Sequence, residues 1–254
     1  MTKTQKRIPV FNVPHDGDAF PKELMASVCV SKEAFLGYHE RMRDIAASEM
    51  VPQAWRGSEN TLRFPISRLL CDVERFLGPA EPMERLGMGV CYERAFDGRP
   101  IKTVTEELRQ KTLRYYWQHH DRLDLMCRRH SRVLLLDMHS FSDELVPPEQ
   151  LRHGVSTPDV CLGVDEKYTP PELTLAVERC LHEAGFTTMR NYPYSGSLVP
   201  NSVLNGTSGC DCISIMLEWN KRTYCDMNGI PDSGKLEEIR GIIRRILDGC
   251  ADLE

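Results

Sequence analysis

The run Val133-Leu-Leu-Leu136-Asp137-Met138-His139-Ser140 sets the reading of the fold. Unbroken apolar residues pass abruptly into an acid and an imidazole. A short apolar run suits a buried strand, and in a parallel sheet the carboxyl ends of the strands are where ligands bind. Other runs have the same form. Ile8–Val13 stops at Pro14-His15-Asp16-Gly17, and residues 62–66 stop at Ser67-Arg68. Residues 160–164 are apolar apart from a glycine, and residues 212–217 run into Glu218-Trp219-Asn220. Each is read as a strand.

Helical patterns lie between them. Ser31 opens one that carries Phe35, Tyr38, Met42 and Ile45 on one stripe. Residues 104–129 form a long one with Leu108, Leu113, Tyr116 and Leu123 near one face. Residues 171–184 follow, with Pro171 suited to a first turn. The last spans residues 234–247, with Leu236, Ile239, Ile242, Ile243 and Ile246 buried and Gly249 expected as its C-cap. Strands alternating with helices predict an α/β fold, a three-layer sandwich with a mixed, mainly parallel sheet flanked by helices. No internal repeat and no linker of Pro, Gly and Ser divides the chain, so residues 1–254 are read as one domain.

Composition narrows the function. The 254 residues carry 32 basic and 37 acidic side chains, a net charge of −5. That balance argues against a general nucleic-acid binder. No apolar stretch is long enough to span a membrane, and the apolar part of residues 8–13 is too short for a signal-peptide core behind the basic start. A cytoplasmic protein is expected. The ten cysteines are scattered and read as free, mostly buried thiols, and Cys210 and Cys212 lack a second pair at zinc-ribbon spacing. Phosphate-binding glycine loops and a GxSxG elbow are missing, which lowers nucleotide binding and serine-hydrolase chemistry.

The side chains that end the apolar runs point to a different chemistry. His15, His139 and Glu218 are residue types that ligate zinc or act as a base beside it. Taken singly, each histidine reads first as structural, and its place at the end of an apolar run shifts that reading toward a ligand. His119 and His120 fall mid-helix and are expected on a solvated or half-buried face. His39, His130 and His182 sit in helices among charges, and His153 in a loop. The segment from Arg63 through Arg68, Asp72, Glu74 and Arg75 reads either as an ion-pair network or as an anion clamp built on forked guanidinium donors. Residues 191–197 and Val199-Pro200-Asn201 form a loop of the kind that shapes a pocket or simply covers a surface.

Taken in order, these motifs resemble a family. Pro14-His15-Asp-Gly, Ser67-Arg68, Asp72-Val-Glu74-Arg75, Asp137-Met-His139-Ser140, Asn191-Tyr-Pro and Leu217-Glu218-Trp-Asn220 with Tyr224 look like the N-formylglutamate amidohydrolases over about residues 8–230. That family is similar in fold to the zinc carboxypeptidases. The resemblance implies a Zn2+ cofactor held by His15, His139 and a carboxylate, for which Asp44 is preferred to Asp18. It implies Glu218 as the general base and Arg75, with Arg68 beside it, as the grip on a substrate carboxylate. Asn191 and Asn201 are further candidates for binding substrate. The family's usual Asn is replaced by Glu74, which sets a negative charge next to the clamp.

The resemblance implies a metal-dependent amidohydrolase of one catalytic domain, cleaving a small N-acyl amino acid such as N-formyl-L-glutamate, as a monomer or small homo-oligomer. A carboxypeptidase-like or other amide hydrolase, and a non-catalytic binding protein on the same fold, remain open alternatives.

Overall fold

The structure is a computed structural model that describes residues 5–78 and 81–253. Residues 1–4, part of the basic start, lie outside the described residues. In chain order the elements are β1 (Ile8–Val13), α1 (Lys22–Met25), α2 (Lys32–Met42), α3 (Ala47–Met50), β2 (Thr61–Arg63), α4 (Glu106–Arg128), β3 (Arg132–Phe141), β4 (Val160–Gly163), α5 (Pro171–Glu183), β5 (Thr188–Arg190), α6 (Asn201–Leu204), β6 (Asp211–Asn220) and α7 (Ser233–Cys250). The chain forms two compact units. One comprises Met1–Val13, Ala46–Leu62 and Leu123–Glu254, and the other Pro14–Ile45 and Arg63–Arg122.

The first unit is built on a six-stranded sheet in the order β2-β1-β3-β6-β4-β5. β1 pairs parallel with β3, β3 with β6, and β4 with β5, while β4 runs antiparallel to β6. The sheet is therefore mixed and mostly parallel, with flanking helices, as the alternation of elements predicted. β1 and β3 are buried almost throughout, because a strand covered on both faces has no side for polar residues to alternate onto. Helices α5 and α7 pack on each other, and α3 packs on α7 and β3. Helix α7 turns Leu236, Ile239, Ile242, Ile243 and Ile246 inward at helical spacing. Its N-cap, Asp232, accepts a hydrogen bond from the Lys235 amide at 2.9 Å.

The second unit has its own core, in which Leu24, Phe35, Leu69, Leu70, Tyr92 and Ile101 are fully buried or nearly so. Ser31 caps α2 by accepting from the Ala34 amide, as its position predicted. Loop segments pair through isolated bridges at Ala19–Ile66 and Val28–Lys102.

Several boundaries differ from the sequence reading. β3 and β6 are each ten residues long, so Asp137, His139 and Glu218 lie inside strands and do not terminate them. The parallel register runs unbroken from Arg132–Asp211 to Phe141–Asn220, and backbone pairing carries the strand through its polar residues. β2 is shorter than expected and ends before Pro65. Strand β5 carries no apolar run and gave no signal. Helix α2 stops at Met42, where Arg43 is extended, which leaves Ile45 outside it. Helix α7 continues through Gly249 to Cys250 and is capped at Ala251 in a right-handed conformation, so Gly249 is not the C-cap.

The histidines differ too. His119 and His120 are buried at 3% and 5% exposure, not on a solvated face. His120 bonds the Val73 carbonyl at 2.8 Å, and His119 packs edge-on to Phe64. His39 is buried with Nδ1 2.9 Å from the Ser67 hydroxyl. The cysteines are free thiols, and six of the ten are buried. Among the described residues no helix is long and apolar enough to cross a membrane.

Candidate active site

In the second unit, His15 sits two residues beyond the end of β1, on a turn fixed by close backbone approach. A Cβ on Gly17 would lie 2.5 Å from the Ile66 carbonyl oxygen and 2.6 Å from that of Phe64, so glycine is required there for space. The His15 carbonyl accepts from the Asp44 amide at 3.1 Å, which ties the segment after α2 to the histidine.

Side chains converge on the buried ring. His15 Nε2 is 2.8 Å from Asp72 Oδ1. Its Nδ1 is 3.5 Å from Asp44 Oδ2 and 3.7 Å from Glu74 Oε2. Asp72 is the hub. Its Oδ2 accepts from Arg68 Nη2 at 3.0 Å and from the Tyr92 hydroxyl at 3.2 Å, with Arg75 Nε 3.4 Å away. Its Oδ1 also accepts from the Glu74 amide at 3.1 Å. Arg68 reaches further, placing Nη1 3.6 Å from Asp44.

Charge explains the ionisation of this cluster. Burial alone would raise the Asp72 carboxyl pKa. The charges of His15, Arg68 and Arg75, with the hydrogen bond from His15, outweigh it and hold Asp72 well below the usual carboxylate range. At His15, burial and the charge of Arg68 oppose protonation. Asp72 and the hydrogen bond to Asp44 overcome them, and the imidazole pKa is raised. The field of this cluster thus favours positive charge at the ring.

Asp18 is turned elsewhere. It is 56% exposed and lies 3.3 Å from Arg63 and 3.7 Å from Arg43, whereas Asp44 is buried against His15. Arg68 and Arg75, the two arginines proposed as a clamp, both belong to an ion-pair network around Asp72, while Arg63 pairs with Asp16 and Asp18.

In the first unit, His139 and Glu218 occupy partnered positions of the parallel strands β3 and β6. Such residues project to the same face of a sheet, with backbones about 4.8 Å apart. Both are buried, at 2% and 7% exposure. Asp137, two residues before His139, shares that face, and its Oδ1 lies 3.3 Å from His139 Nε2. The same oxygen accepts from Asn12 of β1 at 2.8 Å, and Oδ2 accepts from the Leu198 amide. Across β4, Cys161 is partnered with Glu218. Burial and then the charge of Glu218 push the Cys161 thiol up to about 12.

Asn191 shapes a loop. Held in a left-handed backbone conformation, it accepts from the Val164 and Gly196 amides and donates to the Val164 carbonyl. Its neighbour Tyr192 is cis to Pro193, and its hydroxyl accepts from the Arg152 amide and donates to the Val155 carbonyl. Asn201 opens the short helix α6.

The sequence does not single out Tyr92 or Asn12, and its motifs give Asp72 and Asp137 no role of their own. Asp72 and Asp137 could be found as acids set within apolar surroundings, since a buried carboxylate needs partners. Tyr92 and Asn12 carry no such signal.

The structure is similar to the crystal structure of N-formylglutamate amidohydrolase from Ralstonia eutropha JMP134, with 21% identity, a TM-score of 0.75, and coverage of 98% of this chain and 95% of that one. It is also similar to the crystal structure of a gene product from Agrobacterium tumefaciens, with 16% identity, a TM-score of 0.62, and coverage of 94% and 88%. At these identities the likeness is one of fold. A search of curated protein sequences finds no match. The model of the N-formylglutamate amidohydrolase family matches residues 9–225, and the chain belongs to that family.

Proposed function

We propose that this protein is a metal-dependent amidohydrolase that cleaves the amide bond of an N-acyl amino acid, with N-formyl-L-glutamate as the reference substrate. The observation that carries the reading is the register of β3 and β6, which sets Glu218 beside His139 on one face of the sheet. A carboxylate next to a buried imidazole suits a general base next to a ligand. Family membership supports the reaction class.

The donor set fits a divalent ion of the zinc type. His15, Asp44 and His139 each offer one nitrogen or oxygen donor and all three are buried. Asp72, bonded to His15 Nε2, would fix the tautomer and aim Nδ1, the nitrogen that faces Asp44. Asp137 stands in a similar relation to His139. When bound, the ion would supply Lewis acidity, lowering the pKa of water from about 16 toward about 7 and polarising the acyl oxygen.

The chain's own groups supply the rest. Glu218 would accept the proton of the attacking water and return it to the leaving nitrogen. Arg75, whose side chain keeps 21% of its surface exposed, would hold the substrate carboxylate while Arg68 stays engaged with Asp72 and Asp44. Asn191 and Asn201 would act through the shape of their loop. The protein would act on a small molecule as one catalytic domain, as a monomer or small homo-oligomer in the cytoplasm.

Elemental mass spectrometry of protein purified without chelator tests the reading. About one zinc per chain is expected, lost in both His15→Ala and His139→Ala. Full metal retention in either variant removes that histidine from the ligand set. Protein that takes up no metal even when zinc is supplied overturns the mechanism.

A further inference from the structure

The charges around His15 bear on which amino acid the substrate carries. Three carboxylates, Asp44, Asp72 and Glu74, meet two guanidiniums, Arg68 and Arg75.

The two guanidiniums are engaged to different degrees. Arg68 directs Nε and Nη2 at Asp72, at 3.3 and 3.0 Å, and Nη1 toward Asp44. Arg75 meets Asp72 through Nε and is the more exposed of the two, at 21% against 14%. One forked guanidinium suits one carboxylate. Next to it in sequence stands Glu74, 23% exposed, with Oε2 3.7 Å from His15 Nδ1. A second substrate carboxylate brought near Arg75 would meet this like charge in a setting that water screens only in part.

We propose that Glu74 is a specificity-determining residue, and that the enzyme prefers N-acyl amino acids with a single carboxylate and an uncharged side chain over the dicarboxylate N-formyl-L-glutamate. This rests on the amidohydrolase reading above and narrows its substrate class.

N-formyl-L-glutamine and N-formyl-L-glutamate are nearly the same shape and differ by one charge. Formate release from each by the zinc-loaded protein gives the ratio of kcat/KM. A preference of tenfold or more for the glutamine compound is expected. Glu74→Gln should shift that ratio at least tenfold toward glutamate, chiefly through KM, and Glu74→Asn should do the same if the first variant folds poorly. Calorimetric binding of both compounds to Glu218→Gln protein reads the same preference without turnover.

Faster hydrolysis of N-formyl-L-glutamate by the wild type overturns the proposal and leaves the amidohydrolase reading intact. Formate release from neither compound by metal-loaded protein overturns the reading beneath it. Tighter calorimetric binding of the glutamate compound, or binding of neither, overturns the charge proposal whether or not turnover is seen.

Discussion

Two regions hold the candidate chemistry, and they hold it by different means. Around His15 the side chains come from loops and are fixed by one another, through a buried carboxylate that gathers a histidine, two arginines and a tyrosine. Around His139 they come from strands and are fixed by backbone register, in which paired positions set Glu218 beside the histidine. The first arrangement is electrostatic. It makes each member depend on the charge of the others. The second is geometric and tolerates a change of charge as long as the ladder persists.

The sharpest way to test that contrast is Glu218→Gln. The ladder is untouched and the side chain nearly isosteric, so fold and metal content should persist. Turnover should fall by about 10²–10⁴-fold, the range for loss of a general base. Near-normal turnover in metal-loaded variant protein would remove Glu218 from that role.

Asp72→Asn tests the other region. It keeps the shape but leaves Arg68 and Arg75 beside a neutral amide. A loss of about 3–5 kcal/mol in urea unfolding is expected, because an uncompensated buried charge is costly. A loss below about 1 kcal/mol would show that the arginines find solvent or other partners.

Lys102 gives a smaller and pH-dependent effect in the same unit. It is buried and donates to the Leu69 and Leu70 carbonyls at 3.0 and 3.2 Å. Burial lowers its pKa to about 8, against a partial rise from the neighbouring Cys91 and Cys71. The folded state thus binds the proton less tightly than the unfolded chain. The ammonium costs stability fully below about pH 8, and that cost lifts as pH rises toward the unfolded value near 10.5. Wild type should therefore gain on Lys102→Met by about 1–3 kcal/mol between pH 7 and 10. Burial raises the Cys71 and Cys91 thiol pKa values, and Lys102 holds them down in part, so loss of the ammonium shifts the thiols in the direction that adds to the same difference. Parallel stability curves for the two proteins would contradict the lowered pKa.

The smallest effect belongs to a surface pair that neither region uses. Glu178 and Arg190 meet through two hydrogen bonds of 2.6 Å, with Arg190 47% exposed. Glu178→Gln should change the stability by no more than about 1 kcal/mol, and less at high salt. A larger loss would mean that the pair steadies β5.

The two regions are also unequally legible in the sequence. His139 and Glu218 stand out because an apolar run that meets a polar residue has few explanations, whereas the adjacency of their strands comes from the sheet order and has no local signal. The same signal misplaces the strand ends. Apolarity marks a boundary in the sequence, while pairing between β3 and β6 extends through polar residues. His15 is marked by its turn, although the need for Gly17 is space against Phe64 and Ile66 and not an unusual φ. Burial of His39, His119 and His120 is not legible, because a histidine on a helix carries no sign of which neighbour will accept its proton.

The α/β class, the long helices α4 and α7, the capping of α2 by Ser31 and the ordered motifs that identify the family are all legible in the order of the residues. Those depend on periodicity and local hydrogen-bonding chemistry, which act over a few residues. Folding in three dimensions sets β4 antiparallel to β6, brings Asp44 and not Asp18 against His15, and joins Asp72 to His15, Arg68, Arg75 and Tyr92. Those depend on contacts between segments far apart in the chain. Burial and charge pairing there are summed over partners that no local pattern names.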